Sequence, residues 1–355
     1  MTKYQGGRKD NMKQTGKKAV ILMTAAAMAA ASLTGCGSVS PDKVVATVDD
    51  TDIPMGVVNF YIRYQQGVYE TNYAQMMGGI DTMWSTEDSD GVDYEESMKN
   101  TSLELLEQMT ILEDHMEDYD VSLSDEEKAN ITETAKSFVE ANEEEALEVV
   151  NGDQASVERL LTLMTIQKKV YDEVIATADT NVSDEEAKQG KMEYVLFSFQ
   201  KTDDDGNTVT LSDEEKEELK KTAEEFAKGA KKADDFYDYA KEEELNPGEV
   251  AFDEESTAPT EDVVKALLEA GVGGTTDVIE ASNGYYVARY VTDFDEEATE
   301  NEKETIISQR QQDKFSEVYS EWKEETKITE NKKLLKRIDF EKQGVTVKTA
   351  EETEE

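Results

Sequence analysis

The stretch Lys191-Met-Glu-Tyr-Val-Leu-Phe-Ser-Phe199 decides the fold class of this sequence. It is dense in β-forming residues and has apolar side chains on both faces, which is typical of an inner, covered strand. The pattern downstream predicts helices over 213–230, 233–243 and 260–270, and strands over 248–252, 276–279 and 285–291. Residues 191–294 are therefore predicted to form a compact α+β domain.

The sequence before residue 190 has the periodicity of helices. After a short strand at Val44–Val48, apolar residues recur every three or four positions from Leu105 to Tyr119. The sequence Ser-Asp-Glu-Glu occurs at Ser124, Ser183 and Ser212. A Ser followed three residues later by Glu forms a capping box, so each is predicted to start a helix. We predict a mainly helical domain over 44–190.

The chain after residue 294 is predicted to return to that helical domain. Phe315, Val318, Tyr319 and Trp322 form an apolar stripe on a helix that is otherwise polar. Because a lone stripe must pack against something, residues 295–340 are expected to complete the N-terminal helical core, which makes 191–294 an insertion. Residues 341–355 are polar and acidic and are predicted to be a disordered tail.

The first 35 residues have the features of an export signal. Lys17 and Lys18 precede the uncharged run 19–33, which ends in Leu33-Thr34-Gly35-Cys36. The run is too short and too rich in alanine for a membrane-spanning helix, which needs about 20 apolar residues. Leu-Thr-Gly-Cys resembles a bacterial lipobox, which implies cleavage before Cys36 and lipidation of its sulfur. An ordinary signal peptide or an alanine-rich anchor helix is the alternative interpretation.

This N-terminus predicts where the protein is located. Residues 1–35 are interpreted as a lipoprotein signal peptide and 36–43 as a lipid-anchored tether. The remainder is expected on the extracytoplasmic face of a bacterial cell membrane, of the Gram-positive type. Cys36 is the only cysteine, so disulfides within one chain are impossible. The core must therefore stabilise the fold without covalent links.

Composition excludes several classes of function. The formal net charge of −45 makes nucleic acid an unfavourable partner, because phosphates would be repelled. One cysteine and one histidine cannot build a Cys/His zinc site, and we predict no metal and no cofactor. His115, beside Glu113 and Asp114, is interpreted as a solvated helix residue, since no nucleophile motif accompanies it. The run at 203–207 is predicted to be a hairpin turn, because an EF-hand loop there would lack its first and last ligands.

Four segments, in their order and spacing, resemble the PrsA/SurA-type foldase lipoproteins. They are Val45-Ala-Thr-Val-Asp-Asp-Thr-Asp-Ile53, Lys191-Met-Glu-Tyr-Val-Leu-Phe197, Asp235-Phe-Tyr-Asp-Tyr-Ala240 and Gly284-Tyr-Tyr-Val-Ala-Arg-Tyr290. The resemblance covers residues 44–340. It implies a SurA-like helical chaperone core around a parvulin-type peptidyl-prolyl isomerase domain at 191–294, which has a four-stranded antiparallel sheet and helices. It also implies unfolded or newly secreted polypeptides as partners.

The departures from the parvulin pattern concern the catalytic pocket. The family's two pocket histidines correspond to Tyr194 and Tyr286, and Phe252 is a third pocket candidate; no catalytic residue is assigned. Isomerisation requires an apolar cradle and hydrogen bonds that ease rotation of an amide with a barrier of about 18–20 kcal/mol. A tyrosine hydroxyl can donate such a bond, so an active isomerase with an atypical pocket remains an alternative. We predict a chaperone whose parvulin-like domain is weak or inactive.

Two further alternatives remain at this point. A lipoprotein of another class, such as a solute-binding protein, is expected to have two α/β lobes, and the sequence has few strand candidates for that. The methionines of the helical part have two interpretations, ordinary core packing or an adaptable apolar groove for unfolded clients. They are Met76, Met77, Met109, Met116 and Met164. The sequence assigns no oligomeric state.

Overall fold

The computed structural model describes residues 28–32, 40–73, 75–203, 206–340 and 343–347. The chain divides into two compact units. One, here called the core unit, comprises the described residues up to Thr177 and from Gln312 onwards. The other, the inserted unit, is Ala178–Gln311, which extends beyond the predicted 191–294 on both sides.

In chain order, a mainly helical segment is followed by a mixed α+β segment and then by a second mainly helical segment. In chain order, the core unit begins with β1 (Met28–Ser32), β2 (Val44–Val48), β3 (Thr51–Pro54), α1 (Met55–Tyr73), α2 (Ile80–Ser85), α3 (Tyr94–Asp114), α4 (Asp125–Ala141), α5 (Glu144–Val150) and α6 (Gln154–Ala176). The inserted unit has β4 (Gly190–Ser198), β5 (Gln200–Thr202), β6 (Thr208–Thr210), α7 (Asp213–Ala230), α8 (Phe236–Glu242), β7 (Pro247–Phe252), α9 (Glu261–Ala270), β8 (Ile279–Ala281) and β9 (Gly284–Thr292). The chain ends with α10 (Glu296–Glu325), β10 (Ile328–Glu330), α11 (Lys332–Leu335) and β11 (Gln343–Val347).

Helix α1 is the centre of the core unit. Most of its side chains are buried, because α3, α5 and α6 pack around it. Its Phe60 meets Phe138 of α4 edge to face, with 5.2 Å between ring centroids. The short strands β2 and β3 form a hairpin that leads directly into α1, and β10 joins them in the order β10-β2-β3. Among the described residues, no helix combines the length and apolar character that crossing a bilayer requires.

The C-terminal segment packs on the core unit in two ways. The half of α10 that belongs to this unit buries its apolar stripe: Phe315 lies edge to face on Tyr171, at 4.8 Å, and Val318 joins a cluster with Val170. The helix predicted within 295–340 ends at Glu325, because Ile328-Thr329-Glu330 pairs with β2 instead.

The predicted disordered tail is also wrong at residues 343–347. These residues form β11, which pairs antiparallel with β1, a segment of the predicted signal peptide. The strand is held on α1, where the buried Val345 donates its amide to Glu70 Oε2 at 3.1 Å. Glu70 also accepts from Gln66 Nε2 and Trp84 Nε1, so its carboxylate ties three segments of the core unit together.

The inserted unit is built on a four-stranded antiparallel sheet in the order β7-β4-β9-β8. Strand β4 lies inside this sheet, which explains its apolar side chains on both faces. Val195 and Phe197 face α7 and α8, whereas Met192 faces α9. The predicted α+β class and the four-stranded antiparallel sheet are confirmed.

The three capping motifs have different outcomes. Ser124 and Ser212 form complete capping boxes at the starts of α4 and α7. At Ser183 the prediction of a helix is wrong: the hydroxyl accepts from the Glu186 amide at 3.2 Å, but only a turn forms. The reason is the sequence that follows, since β4 begins at Gly190 and leaves no room for further turns.

Candidate functional site

The two tyrosines at the parvulin histidine positions lie side by side. Tyr194 is on β4 and Tyr286 on the neighbouring β9, where Tyr286 is opposite Leu196. Because alternate residues of a strand share a face, this register places both rings on the face that α9 covers. Their centroids are 5.9 Å apart, with 47° between the ring planes.

Both rings are held by their surroundings. Tyr286 is only 3% exposed, and its hydroxyl accepts a hydrogen bond from Asn283 Nδ2 at 3.0 Å. Tyr194 is half-buried and lies against Gly248 of β7, so closely that a Cβ there would be 2.6 Å from its Cζ. Both rings therefore lie on the sheet face that α9 covers. They supply hydroxyl groups but no base comparable to an imidazole.

Phe252, the third pocket candidate, is buried in the core of the inserted unit. It is 1% exposed and meets Tyr290 edge to face at 4.9 Å, inside the apolar layer between the sheet and α9. The cleft of about 570 Å³ beside α9 is bordered by Glu254, Glu255, Glu261 and Glu269, and none of the three pocket candidates lines it. The geometry brings Tyr194 and Tyr286 together but places Phe252 in the core.

A second candidate site is a groove in the core unit between α1, α2 and α3. Its cavity volume is about 490 Å³. Tyr69, Tyr73 and Tyr94 line it while remaining 44%, 45% and 41% exposed. Tyr69 is 5.4 Å from Tyr73 and 6.4 Å from Trp84 between ring centroids, which makes a row of aromatic rings along the groove. We call this feature the aromatic groove.

The aromatic groove has a firm floor. Trp84 is buried, donates Nε1–H to Glu70 Oε1 at 2.9 Å and packs on Phe340 at 4.7 Å. Met77, Met83 and Met98 complete the apolar lining. An apolar cleft of this size lies within the range of about 300–1,000 Å³ that is usual for ligand sites. The aromatic groove can therefore accept apolar side chains without a rearrangement of α1, α2 or α3.

The methionines that the sequence singled out divide between groove and core. Met77 lines the aromatic groove and Met76 is exposed beside it in sequence. Met109, Met116 and Met164 instead pack in the apolar clusters of the core unit. The tyrosines were missed, although Tyr69 and Tyr73 have the spacing of four that places two rings on one helix face. Exposed aromatic pairs at that spacing were the available signal.

His115 is not simply solvated, as its sequence context suggested. Its ring stacks on Trp322 with centroids 4.3 Å apart and 4° between the planes, and Nδ1 lies 2.8 Å from Asp118 Oδ2. This is a packing role at the end of α3. Within the described part of the chain, no group of three His, Cys, Asp or Glu side chains is arranged to hold a metal ion. Cys36, the predicted lipidation site, lies outside the described residues.

Sequence comparison identifies the inserted unit. Residues 193–304 match the family described as the PPIC-type PPIASE domain. The predicted resemblance to the PrsA/SurA-type foldases is confirmed through this domain, which lies where the sequence predicted a parvulin-type unit. No curated protein matches the chain by sequence.

Solved structures similar to this chain include three bacterial proteins. One, from Campylobacter jejuni, belongs to a study of the SurA-like chaperones PEB4 and Cj1289; it is 13% identical over 81% of this chain and 98% of its own, with a TM-score of 0.28. Foldase protein PrsA from Streptococcus pneumoniae is 22% identical over 64% and 86%, with a TM-score of 0.26. Peptidylprolyl isomerase (PrsA) from Bacillus cereus is 19% identical over 72% and 96%, with a TM-score of 0.30. At these values the likenesses support no conclusion about function.

Proposed function

We propose that this chain is an extracytoplasmic foldase-type chaperone that binds unfolded, newly exported polypeptides in the aromatic groove. The observation that supports this most is the row of half-exposed tyrosines above a buried Trp84. A monomeric protein rarely exposes large apolar patches unless they bind something. Unfolded chains present the apolar side chains that such a groove accepts.

Membrane attachment is part of the same proposal. Cleavage before Cys36 and lipidation of its thiol would tether the chaperone where exported chains emerge. Stable anchoring takes two acyl chains or a second membrane signal. Incorporation of labelled palmitate that is lost in Cys36→Ala is the expected result. A palmitate label that persists in Cys36→Ala would contradict the proposed anchor.

The chaperone proposal is tested by suppression of aggregation. Thermally unfolded citrate synthase is expected to scatter less light in the presence of the chain. The variant Tyr69→Ser/Tyr73→Ser/Tyr94→Ser is expected to lose most of that protection, because its groove no longer offers aromatic faces. Val272→Ser, which removes a large exposed apolar side chain of the inserted unit, is the matched control and should protect normally. Equal protection by all three proteins would refute the groove as the client site.

Active isomerisation is the second candidate function, because residues 193–304 match an isomerase domain family. We propose that activity is weak, since Tyr194 and Tyr286 stand at the two positions of the family's pocket histidines and bring no imidazole. A proline tetrapeptide should show little acceleration by the full chain. Clear acceleration that disappears in Tyr194→Ala/Tyr286→Ala would instead establish an isomerase that works through tyrosine hydroxyls.

A further inference from the structure

Most residues that line the aromatic groove come from a stretch of the chain whose charged residues are all acidic. Between Tyr64 and Met98 the sequence contains eight acidic residues and no lysine or arginine. The acidic residues are Glu70, Asp81, Glu87, Asp88, Asp90, Asp93, Glu95 and Glu96. All the groove-lining residues except Thr101, Ser102 and Leu105 come from this stretch. The lining is therefore apolar and the sequence around it is purely acidic.

The basic residues that flank this stretch do not offset its charge. Arg63 is buried and donates Nη1–H to Gln66 Oε1 at 2.6 Å. Lys99 donates Nζ–H to Glu95 Oε1 at 2.7 Å and to the Ile338 carbonyl at 3.1 Å, and its side chain is largely covered. Both cations face the interior of the core unit, where their hydrogen-bond partners lie. They therefore do not neutralise the exposed acidic residues of the stretch.

The acidic residues are concentrated where the walls of the groove meet. Residues 86–93 connect α2 to α3, and Trp84 and Tyr94, on either side of this connection, both line the groove. The connection is closed by two backbone hydrogen bonds, Asp88 N to Val92 O at 2.9 Å and Tyr94 N to Thr86 O at 3.0 Å. Glu87 and Asp90 are exposed on it, and Glu96 is exposed on the first turn of α3. We call these three exposed carboxylates, on the connection and on the first turn of α3, the acidic rim.

We infer that the aromatic groove selects extended apolar segments that are flanked by lysine or arginine. This inference rests on the proposed chaperone function and specifies its substrate class. The apolar side chains would lie on the tyrosine rings, and the flanking cations would meet the acidic rim. A cation placed over a tyrosine face gains further attraction, so basic residues suit both surfaces. Because the rim is exposed, the preference must weaken as salt screens it.

Binding of two matched peptides to the purified full chain tests this inference. Both are fluorescein-labelled and about ten residues long, with the same apolar centre; one has lysine pairs at its ends and the other has glutamate pairs. At low salt the lysine-flanked peptide is expected to bind about tenfold more tightly by fluorescence anisotropy. In about 1 M NaCl the ratio should approach one, because the Debye length falls to about 3 Å.

Charge-neutral variants locate the preference. Glu87→Gln/Asp90→Asn/Glu96→Gln should bind the two peptides with nearly equal affinity while still protecting citrate synthase. Glu133→Gln/Glu140→Gln/Glu148→Gln removes three exposed acidic residues from α4 and α5 of the same unit and should keep the tenfold ratio. A ratio abolished equally by both variants would mean that net charge, and not the rim, sets the preference, and would overturn the inference.

The remaining outcomes separate this inference from the proposed function. If aggregation is suppressed but the two peptides bind equally at low salt, only the inference is refuted. If neither peptide binds and aggregation is not suppressed, the proposed chaperone function is refuted as well. Self-association that blocks the groove, seen by analytical ultracentrifugation and reversed by Tyr73→Ser, would identify a second copy as the occupant and would also overturn the inference.

Discussion

Glu107 shows how one buried carboxyl can make the core unit sensitive to pH. It is 5% exposed, and among the described residues its Oε1 has no hydrogen-bond partner. Burial is the largest cause that raises its pKa, to about 7, and the charges of Glu330 and Glu104 add to it. The charged form is therefore disfavoured in the folded state and not in the unfolded state.

Replacement of Glu107 by glutamine should stabilise the protein only at high pH. Below an unfolded-state pKa of about 4.5 the carboxyl is neutral in both states. As pH rises from there through about 7, the unfolded state loses its proton first, so the wild-type chain loses stability. Glu107→Gln is expected to gain about 1–3 kcal/mol at pH 8 and almost nothing at pH 4, measured by urea denaturation. Glu133→Gln, at an exposed position of α4, serves as control. An equal gain by Glu107→Gln at both pH values would contradict the assignment.

At the residue scale, the sequence predicted where the pocket candidates lie on the strands, but not what surrounds their side chains. Tyr194 and Tyr286 were matched to the two pocket positions by alignment with strand motifs, and they do lie together because β4 and β9 are neighbours in register. Phe252 was given only as a further pocket candidate, and it lies in the core because the end of β7 is covered by the layer under α9. Alternation along a strand predicts a face, but not what covers it.

At the scale of elements, the turn between β8 and β9 depends on the small size of Gly284. A Cβ at this residue would lie 2.3 Å from the backbone oxygen of Phe197, on the paired strand β4. That contact is with backbone and cannot be relieved by rotating a side chain. We expect Gly284→Ala to destabilise the inserted unit by about 1–3 kcal/mol.

Hydrogen exchange measures this effect directly. The amides of β4 and β9 should exchange faster in Gly284→Ala than in the wild-type chain, whereas those of α1 should be unaffected. Ser282→Ala, at an exposed position of the same turn, is the matched control and should behave as wild type. Unchanged protection of β4 in Gly284→Ala would show that the strand can shift to accommodate the methyl group.

At the scale of the whole molecule, β11 links the predicted export signal to the folded core. Cleavage before Cys36 would remove β1, which pairs with β11 over five residues. The Val345 amide would keep its bond to Glu70, but the edge of β11 that faced β1 would lose its partner. An unpaired strand edge leaves backbone groups open to solvent.

Processing is therefore expected to loosen residues 343–347. Hydrogen exchange of this segment should be faster in the processed chain than in Cys36→Ser, in which cleavage is expected to be blocked. The amides of β4 serve as an internal reference and should exchange equally in both proteins. Equal protection of 343–347 in the two forms would mean that Glu70 and the contacts with α1 hold the strand without β1.

The sequence by itself determined the features that depend on local chemistry. The α+β class, the inner strand at 191–199 and the capping boxes at Ser124 and Ser212 follow from periodicity and from hydrogen bonds between residues close in sequence. Only the tertiary structure decided the features that depend on neighbours. Ser183 makes a turn because β4 follows, residues 328–330 form a strand because β2 offers an edge, and three tyrosines form a groove because α2 buries Trp84 between α1 and α3. Local pattern cannot encode these contacts, because the groups that complete them come from distant parts of the chain.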